Sequence, residues 1–274
     1  MPWPIGGRDF PDELMAKKKE RLDRLLLERG LVETRAKGQA LIMAGEVLVD
    51  GQPATKAGTL IPLEAAIELI APPPYASRGG FKLAAALETF EIEVSGRVCA
   101  DVGACTGGFT DVLLQHHAAR VYAIDVGYGQ LDWNLRQDER VVVMERTNAR
   151  HLETLPELVS FVCVDVSFIS LKLILPAVKQ WLAEAADIVV LVKPQFEAGR
   201  QQVGKGGIVR DPAVHRQVLS DILTWANKHE FTPAGLIRSP IEGAGGNTEF
   251  LAWLQWPPGN EETPFAIKSA IGEM

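Results

Sequence analysis

The chain has 274 residues, 47% hydrophobic and 23% charged, with a formal net charge of −7. That length suits one large domain or two modest ones, and the composition is that of a globular protein. No uncharged apolar run reaches the ~18 residues a membrane span needs, and the three cysteines, Cys99, Cys105 and Cys163, lack metal-ligand spacing and fit reduced thiols in a cytoplasmic protein.

Residues 1–14 contain Pro2, Pro4 and Pro11 and no periodic apolar pattern. They read as a flexible extension, without the apolar core of a secretory signal. Leu22, Leu25, Leu26 and Leu27 then form a helical stripe that stops at Gly30. Thr34 is the N-cap candidate of a second helix through Ala40–Met43, stopped by Gly45. "EVLVDGQPA" predicts strand, Asp-Gly turn, strand, and "TLIPLEAAIELI" adds short strand material. Residues 15–70 therefore form a small α+β unit. Within 15–60, nine basic and six acidic side chains leave +3 against the acidic total. A basic module on an acidic body suits polyanion binding; a solvated charged helix is the competing reading.

"APPPY" opens a stiff linker over 71–77, because successive prolines favour extended geometry. Beyond it strands are expected at 97–102, 120–125, 141–146, 161–165 and 187–192. Helices fall near 78–90, 107–117, 129–137, 153–158 and 171–185. This alternation predicts a doubly wound parallel sheet. A long helix near 212–229 starts from Asp211-Pro212. Two last strands, near 232–239 and 248–255, have no helix between them and predict an antiparallel pair at one edge.

In "CADVGACTGGFTDVLL" (99–114) an apolar strand ends near Asp101, and a turn with Gly103, Gly107 and Gly108 opens a helix. Glycines there let a ligand approach the main chain. Asp125 closes the next strand, where doubly wound folds place an acid for ribose hydroxyls. The spacing is not that of a dinucleotide fingerprint, and Asp101 beside the turn suits a ligand carrying an amine and a sulfonium, S-adenosylmethionine, better than a pyrophosphate. A purely structural tight turn is the alternative.

Lys82 follows "SRGGF" near a helix start. Asp165 and Lys193 close the fourth and fifth strands, and Glu249 opens the last. Each alone could be a solvated strand end; together they converge on the edge where such sheets bind ligands. A hydroxyl that accepts a methyl group is a poor nucleophile whose proton must leave as the methyl arrives. A positioned lysine can take that proton or stabilise the oxyanion, and carboxylates hold it in place. No metal is expected.

The stretches "PYASRGGFKL" (74–83), "ADVGACTGGFTDVLLQ" (100–115), "VYAIDVGYGQLDW" (121–133), "KPQFEAGRQQVGKGGIVRDP" (193–212) and "GGNTEF" (245–250) resemble the TlyA family of ribosomal-RNA ribose methyltransferases, whose catalytic domain is of the FtsJ type. The resemblance implies a Rossmann-like, seven-stranded methyltransferase sheet over 78–256, preceded at 15–70 by a small RNA-binding domain first seen in a ribosomal small-subunit protein; 257–274 would be a tail. It implies S-adenosylmethionine-dependent 2′-O-methylation of ribosomal RNA, with cytidine as the expected target. Lys82, Asp165, Lys193 and Glu249 become the catalytic tetrad, and Asp101, Gly103, Gly107, Asp125 and Asn148 the contacts of the methyl donor. Lys17, Lys18, Lys19, Arg21, Arg24, Arg35, Arg200, Lys205 and Arg210 become RNA contacts. Cys105 stands where serine is more usual, and Asn134 where lysine is often found. The alternatives are a haemolysin-like membrane-active protein, which the absence of an apolar span disfavours, and an inactive RNA-binding protein, which the complete tetrad disfavours.

Overall fold

The computed structural model describes residues 18–70 and 74–258. The chain divides into two compact units, residues 1–74 and 75–274.

In the first unit, β1 (Lys19–Arg21) pairs antiparallel with β4 (Leu60–Pro62). Helices α1 (Leu22–Glu28) and α2 (Arg35–Ala44) follow β1. Strand β2 (Val47–Val49) lies between β3 (Gln52–Pro53) and β5 (Ile67–Leu69). Leu22, Leu25 and Leu26 are buried with Ile42 and Val47, whereas Leu27 is exposed, because a further 100° step carries it past the core face. Thr34 Oγ1 accepts from Lys37 N at 3.2 Å, and Gly45 ends α2 at φ 76°. Asp50 and Gly51 both have positive φ, as a type I′ hairpin turn demands.

The second unit is built on β6 (Val98–Val102), β7 (Arg120–Ile124), β8 (Val141–Met144), β9 (Val159–Val164), β10 (Leu182–Val192), β11 (Thr232–Arg238) and β12 (Phe250–Trp256). The order is β11-β12-β10-β9-β6-β7-β8. All neighbours from β10 to β8 are parallel; β12 inserts antiparallel between β10 and β11. The central strands bury both faces. Ile188, Val190 and Val192 join one core, Val189 and Leu191 the other, which is why β10 reads as a continuous apolar run. Helices α3 (Gly80–Thr89), α4 (Gly108–Gln115), α5 (Trp133–Gln137), α6 (Leu171–Val178), α7 (Pro194–Glu197) and α8 (Pro212–Lys228) complete the unit.

Two expected helices differ. The segment 153–158 is not helical: a 3₁₀ turn at Ala149–His151 leads into irregular chain, and Pro156 keeps Leu155 out of helical backbone. The helix expected over 171–185 stops at Val178. Pro176 removes one of its amide donors, a 3₁₀ turn holds Lys179–Trp181, and β10 begins at Leu182. Helix α5 is also shorter than expected, starting only after Asp132 accepts from Asn134 N. Among the described residues no helix is long and apolar enough to cross a membrane.

Candidate active site

Register brings the site together. Val102 pairs with Ile124 on one side and Val164 on the other, and Val164 pairs with Val190. The residues that leave these strands, Gly103, Asp125, Asp165 and Lys193, therefore emerge along one edge of the sheet. On the antiparallel side Val192 faces Phe250, so Lys193 and Glu249 leave their strands opposite one another.

The glycine turn is dictated by close neighbours. Gly103 has φ 90°, and a Cβ there would lie 2.2 Å from the Asp165 carbonyl oxygen. A Cβ on Gly107 would meet Leu135 at 2.3 Å, and one on Gly108 would meet Ser77 Oγ at 2.3 Å. The last contact explains "SRGG": its backbone packs directly on the start of α4, where Asp111 also accepts from Ala76 N at 2.7 Å. Asp101 is fully buried. Its Oδ2 accepts from Thr110 N (2.9 Å) and Thr110 Oγ1 (2.7 Å), while Oδ1 has no hydrogen-bond partner among the described residues. Burial pushes its pKa up to about 7, against the lowering effect of Thr110.

A cavity of about 430 Å³ opens over this turn, within the range of small-molecule sites. Gly103, Asp125, Asn148, Asp165 and Ser167 contribute polar lining, and Ile124, Val126, Phe168 and Ile174 contribute apolar wall. Asp125 is fixed by accepting from Cys105 N at 2.8 Å and Gly127 N at 2.6 Å; Asn148 accepts from Arg150 N at 3.1 Å. Acceptors for hydroxyl groups, an apolar slot for a base and a second carboxylate suit a nucleoside bearing positive charge. Asp101 and Gly107 do not line this cavity. Both shape the turn beneath it: Asp101 anchors Thr110, and Gly107 admits Leu131 and Leu135. A smaller cavity of about 140 Å³ shares Gly103, Cys105 and Asp165 and is closed by Ser77 and Gly79, just ahead of Lys82 on α3.

The four tetrad candidates form two ion pairs. Lys82 Nζ lies 2.5 Å from Glu249 Oε2, and Lys193 Nζ lies 2.6 Å from Asp165 Oδ1. Lys82, Lys193 and Glu249 are all buried, at 7%, 9% and 3% exposure. A buried ammonium is tolerated only with a paired carboxylate, so each lysine is held where its partner dictates. Gly243 has no room for a side chain, since a Cβ would meet Glu249 Oε1 at 2.0 Å. Among the described residues no cluster of His, Cys, Asp or Glu has metal-binding geometry.

The basic residues are dispersed. Lys17 lies outside the described residues. Lys18, Lys19 and Arg24 are exposed on the first unit, where Arg21 and Arg35 converge on buried Asp23. Arg200, Lys205 and Arg210 are exposed on the second unit, in the stretch between α7 and α8. Sequence reasoning passed over three polar residues. Ser167 accepts from Lys193 Nζ at 2.9 Å. Thr110 anchors Asp101. Asn247 donates to Gly207 O and Ala244 O and accepts from Val209 N, each at 3.0 Å, joining the glycine-rich 203–210 loop to the segment that carries Glu249. The only signal for Asn247 was its place in "GGNTEF".

Residues 75–256 match the model of the FtsJ-like methyltransferase family, and residues 20–67 match that of the S4 domain. The 16S/23S rRNA (cytidine-2'-O)-methyltransferase TlyA of Mycobacterium tuberculosis is 47% identical over 242 residues, 87% of this chain and 90% of that one. Hemolysin A of Brachyspira hyodysenteriae is 42% identical over 235 residues, 85% of this chain and 98% of that one. A Streptococcus thermophilus protein of known structure, which carries a hemolysin name, superposes with a TM-score of 0.70 at 45% identity, covering 94% of this chain and 96% of the other. Two matched domains in this order, with relatives spanning nearly the whole length, place the chain in the TlyA family of FtsJ-like methyltransferases with an N-terminal S4 domain.

Proposed function

We propose that this protein methylates the 2′-hydroxyl of a ribosomal-RNA nucleotide, cytidine being the target that its M. tuberculosis relative's name specifies. The observation that carries the reading is the pair of buried lysine–carboxylate contacts at the edge of the sheet, beside a nucleoside-sized cavity. S-adenosylmethionine, when bound, supplies an electrophilic methyl group on a sulfonium. Asp125 and Asn148 would hold its ribose and base end, and the carboxylate of Asp165 would face its positive centre. Gly103 leaves the backbone open to it.

Lys193 meets the target hydroxyl. It takes up the hydroxyl proton, or as an ammonium it stabilises the oxyanion as the proton departs. Asp165 balances its charge through a 2.6 Å ion pair. Lys82 and Glu249, held as a buried pair, would orient the ribose. The S4 unit supplies the docking charge through Lys17, Lys18, Lys19, Arg21, Arg24 and Arg35, and Arg200, Lys205 and Arg210 supply it on the catalytic unit. A target buried in folded RNA must be turned outward to reach this edge. A cytoplasmic setting follows from that substrate.

The test is transfer of labelled methyl from S-adenosylmethionine to ribosomal subunits, free rRNA and bulk protein, followed by mapping of ribose methylation. Label confined to 2′-O positions of rRNA is the expected result; label on protein alone would refute the assignment.

A further inference from the structure

The loop after β9 carries Asp165 and the segment after β10 carries Lys193. They are fastened together at two places. Near the reacting end, Lys193 Nζ donates to Ser167 Oγ at 2.9 Å beside its 2.6 Å contact with Asp165. At the far end, Glu197 accepts from Ser170 Oγ at 2.6 Å and from Leu171 N at 2.8 Å. Between these anchors Phe168 has φ 63°, a backbone conformation an aromatic residue rarely adopts unaided. The loop is therefore held in shape by its two fastenings and not by local preference.

We propose that Ser167 is a positioning residue for Lys193, and that Glu197 is the clasp that keeps Ser167 in place. The proposal rests on the reading of Lys193 as the group that meets the target hydroxyl. A tetrahedral Nζ has four directions. Cε takes one and Ser167, the hydrogen-bond acceptor, a second, whereas the 2.6 Å ion pair with Asp165 Oδ1 lacks hydrogen-bond geometry and sets no direction. With Asp165 alone, the nitrogen could swing about that one contact. Fixing the amine through Ser167 is the kind of orientation on which transfer rates depend steeply. Ser167 also lines the cavity, so the amine and the cavity wall are tied by one hydroxyl.

The test is single-turnover methyl transfer to rRNA at saturating S-adenosylmethionine, with donor affinity measured separately by calorimetry. Ser167→Ala is expected to slow transfer about tenfold, at the lower end of what losing an acid–base group itself costs, with donor affinity within twofold. Ser167→Thr, which keeps the hydroxyl, should recover most of the rate. Glu197→Ala should slow transfer less, and adding it to Ser167→Ala should cost little more, because both act through one contact. Donor affinity that falls while the saturated rate is kept makes Ser167 a donor contact and overturns the proposal. So does an unchanged Ser167→Ala rate, or a Ser167→Thr variant as slow as Ser167→Ala. Lys193→Ala in the same assay keeps the two ideas apart. A wild-type rate there refutes the role of Lys193 and this proposal with it; a rate that depends on Lys193 but ignores Ser167 refutes this proposal alone.

Discussion

The two units each bury charge, and they pair it differently. In the first unit the buried group is an acid. Asp23 is fully buried and accepts from Arg21 Nε and Nη2 (both 3.0 Å), Arg35 Nε (2.9 Å) and Gln39 Nε2 (2.8 Å). The side-chain hydrogen bond from Arg21 leads in holding its pKa far below the usual carboxylate range. The two arginine side chains themselves remain 39% and 43% exposed. In the second unit the cations are buried with their carboxylates: Lys82 with Glu249, Lys193 with Asp165. A buried acid that gathers arginines makes a rigid outward-facing cationic surface, suited to planar, bidentate contact with phosphate. A buried lysine paired with an acid makes an inward amine at a fixed point, suited to chemistry. The same elementary contact gives docking in one place and reactivity in the other.

The largest effect expected from this difference is on turnover. Lys193→Ala should lower the single-turnover rate about 10²–10⁴-fold, roughly 3–5 kcal/mol, while donor and RNA affinity stay within a few-fold. Lys193→Arg should be nearly as damaging, because a guanidinium does not give up its proton and is too broad for the site. Retention of more than about a tenth of the rate by Lys193→Ala, outside that range, would move the role to Lys82.

The second effect tests burial directly. Glu249→Ala leaves Lys82 charged in the interior and should cost about 3–5 kcal/mol of stability. Pairing it with Lys82→Met should restore most of that stability without restoring activity. Chemical denaturation followed by tryptophan fluorescence reads the second unit, since five of the six tryptophans lie at 133, 181, 225, 253 and 256. Failure of the second substitution to recover stability would mean that packing around Glu249, and not the stranded charge, sets the cost.

A third effect follows from Asp101. Its pKa of about 7 stands above its ordinary value near 3.8, burial being the main cause. The folded state thus holds a proton that the unfolded chain has lost. The stability that Asp101 contributes is full below about pH 4 and declines as pH rises toward 7, by up to about 4 kcal/mol. Glu197, also raised by burial, acts in the same direction. Asp138 and Glu145, lowered first by hydrogen bonds from Arg140 and Arg136, act oppositely and only in more acid solution. Asp101→Asn should flatten the decline between pH 4 and 7; an unchanged slope would show that Asp101 is not its source.

What could be read from the sequence divides along the same physical line. Strands buried on both faces announce themselves as apolar runs, and residues leaving parallel strands must gather at one edge, so Asp165 and Lys193 are legible as neighbours, with Lys82 and Glu249 expected beside them. The pairings are not. Nothing in the spacing of Lys82 and Glu249, 167 positions apart, says that they touch. Nor does the motif say that Asp101 Oδ2 is taken by Thr110 or that Gly107 admits Leu135, contacts that depend on side-chain direction. The segment 153–158 carried enough apolar residues for a helix, and Pro156 overrode them. In the first unit Asp23 looked like one acid in a basic helix. Only tertiary contact shows it as the centre on which Arg21 and Arg35 converge.

The smallest effect is the one that separates fixed from diffuse positive charge on that first unit. Arg35→Gln removes one cation and one Asp23 contact, so rRNA affinity should fall by about tenfold, near the ~1.5 kcal/mol lower end of a hydrogen bond to a charged group. The slope of log affinity against log salt should shrink by about 0.7–0.9, the share of one phosphate. Asp23→Asn is more telling, because it raises the net positive charge while loosening both arginines. If charge alone matters, rRNA binding should tighten and its salt dependence steepen. If the arginines act through the geometry Asp23 imposes, binding to the correct rRNA should weaken while binding to unrelated RNA strengthens. The second outcome is expected, since Arg21 is gripped through two nitrogens and its guanidinium also rests against Gly58, where a Cβ would lie 3.2 Å from Nη1. Donor affinity, measured in the same variants, should not change. Equal tightening toward both RNAs would reduce the first unit to a simple basic patch and remove the contrast between the two buried centres.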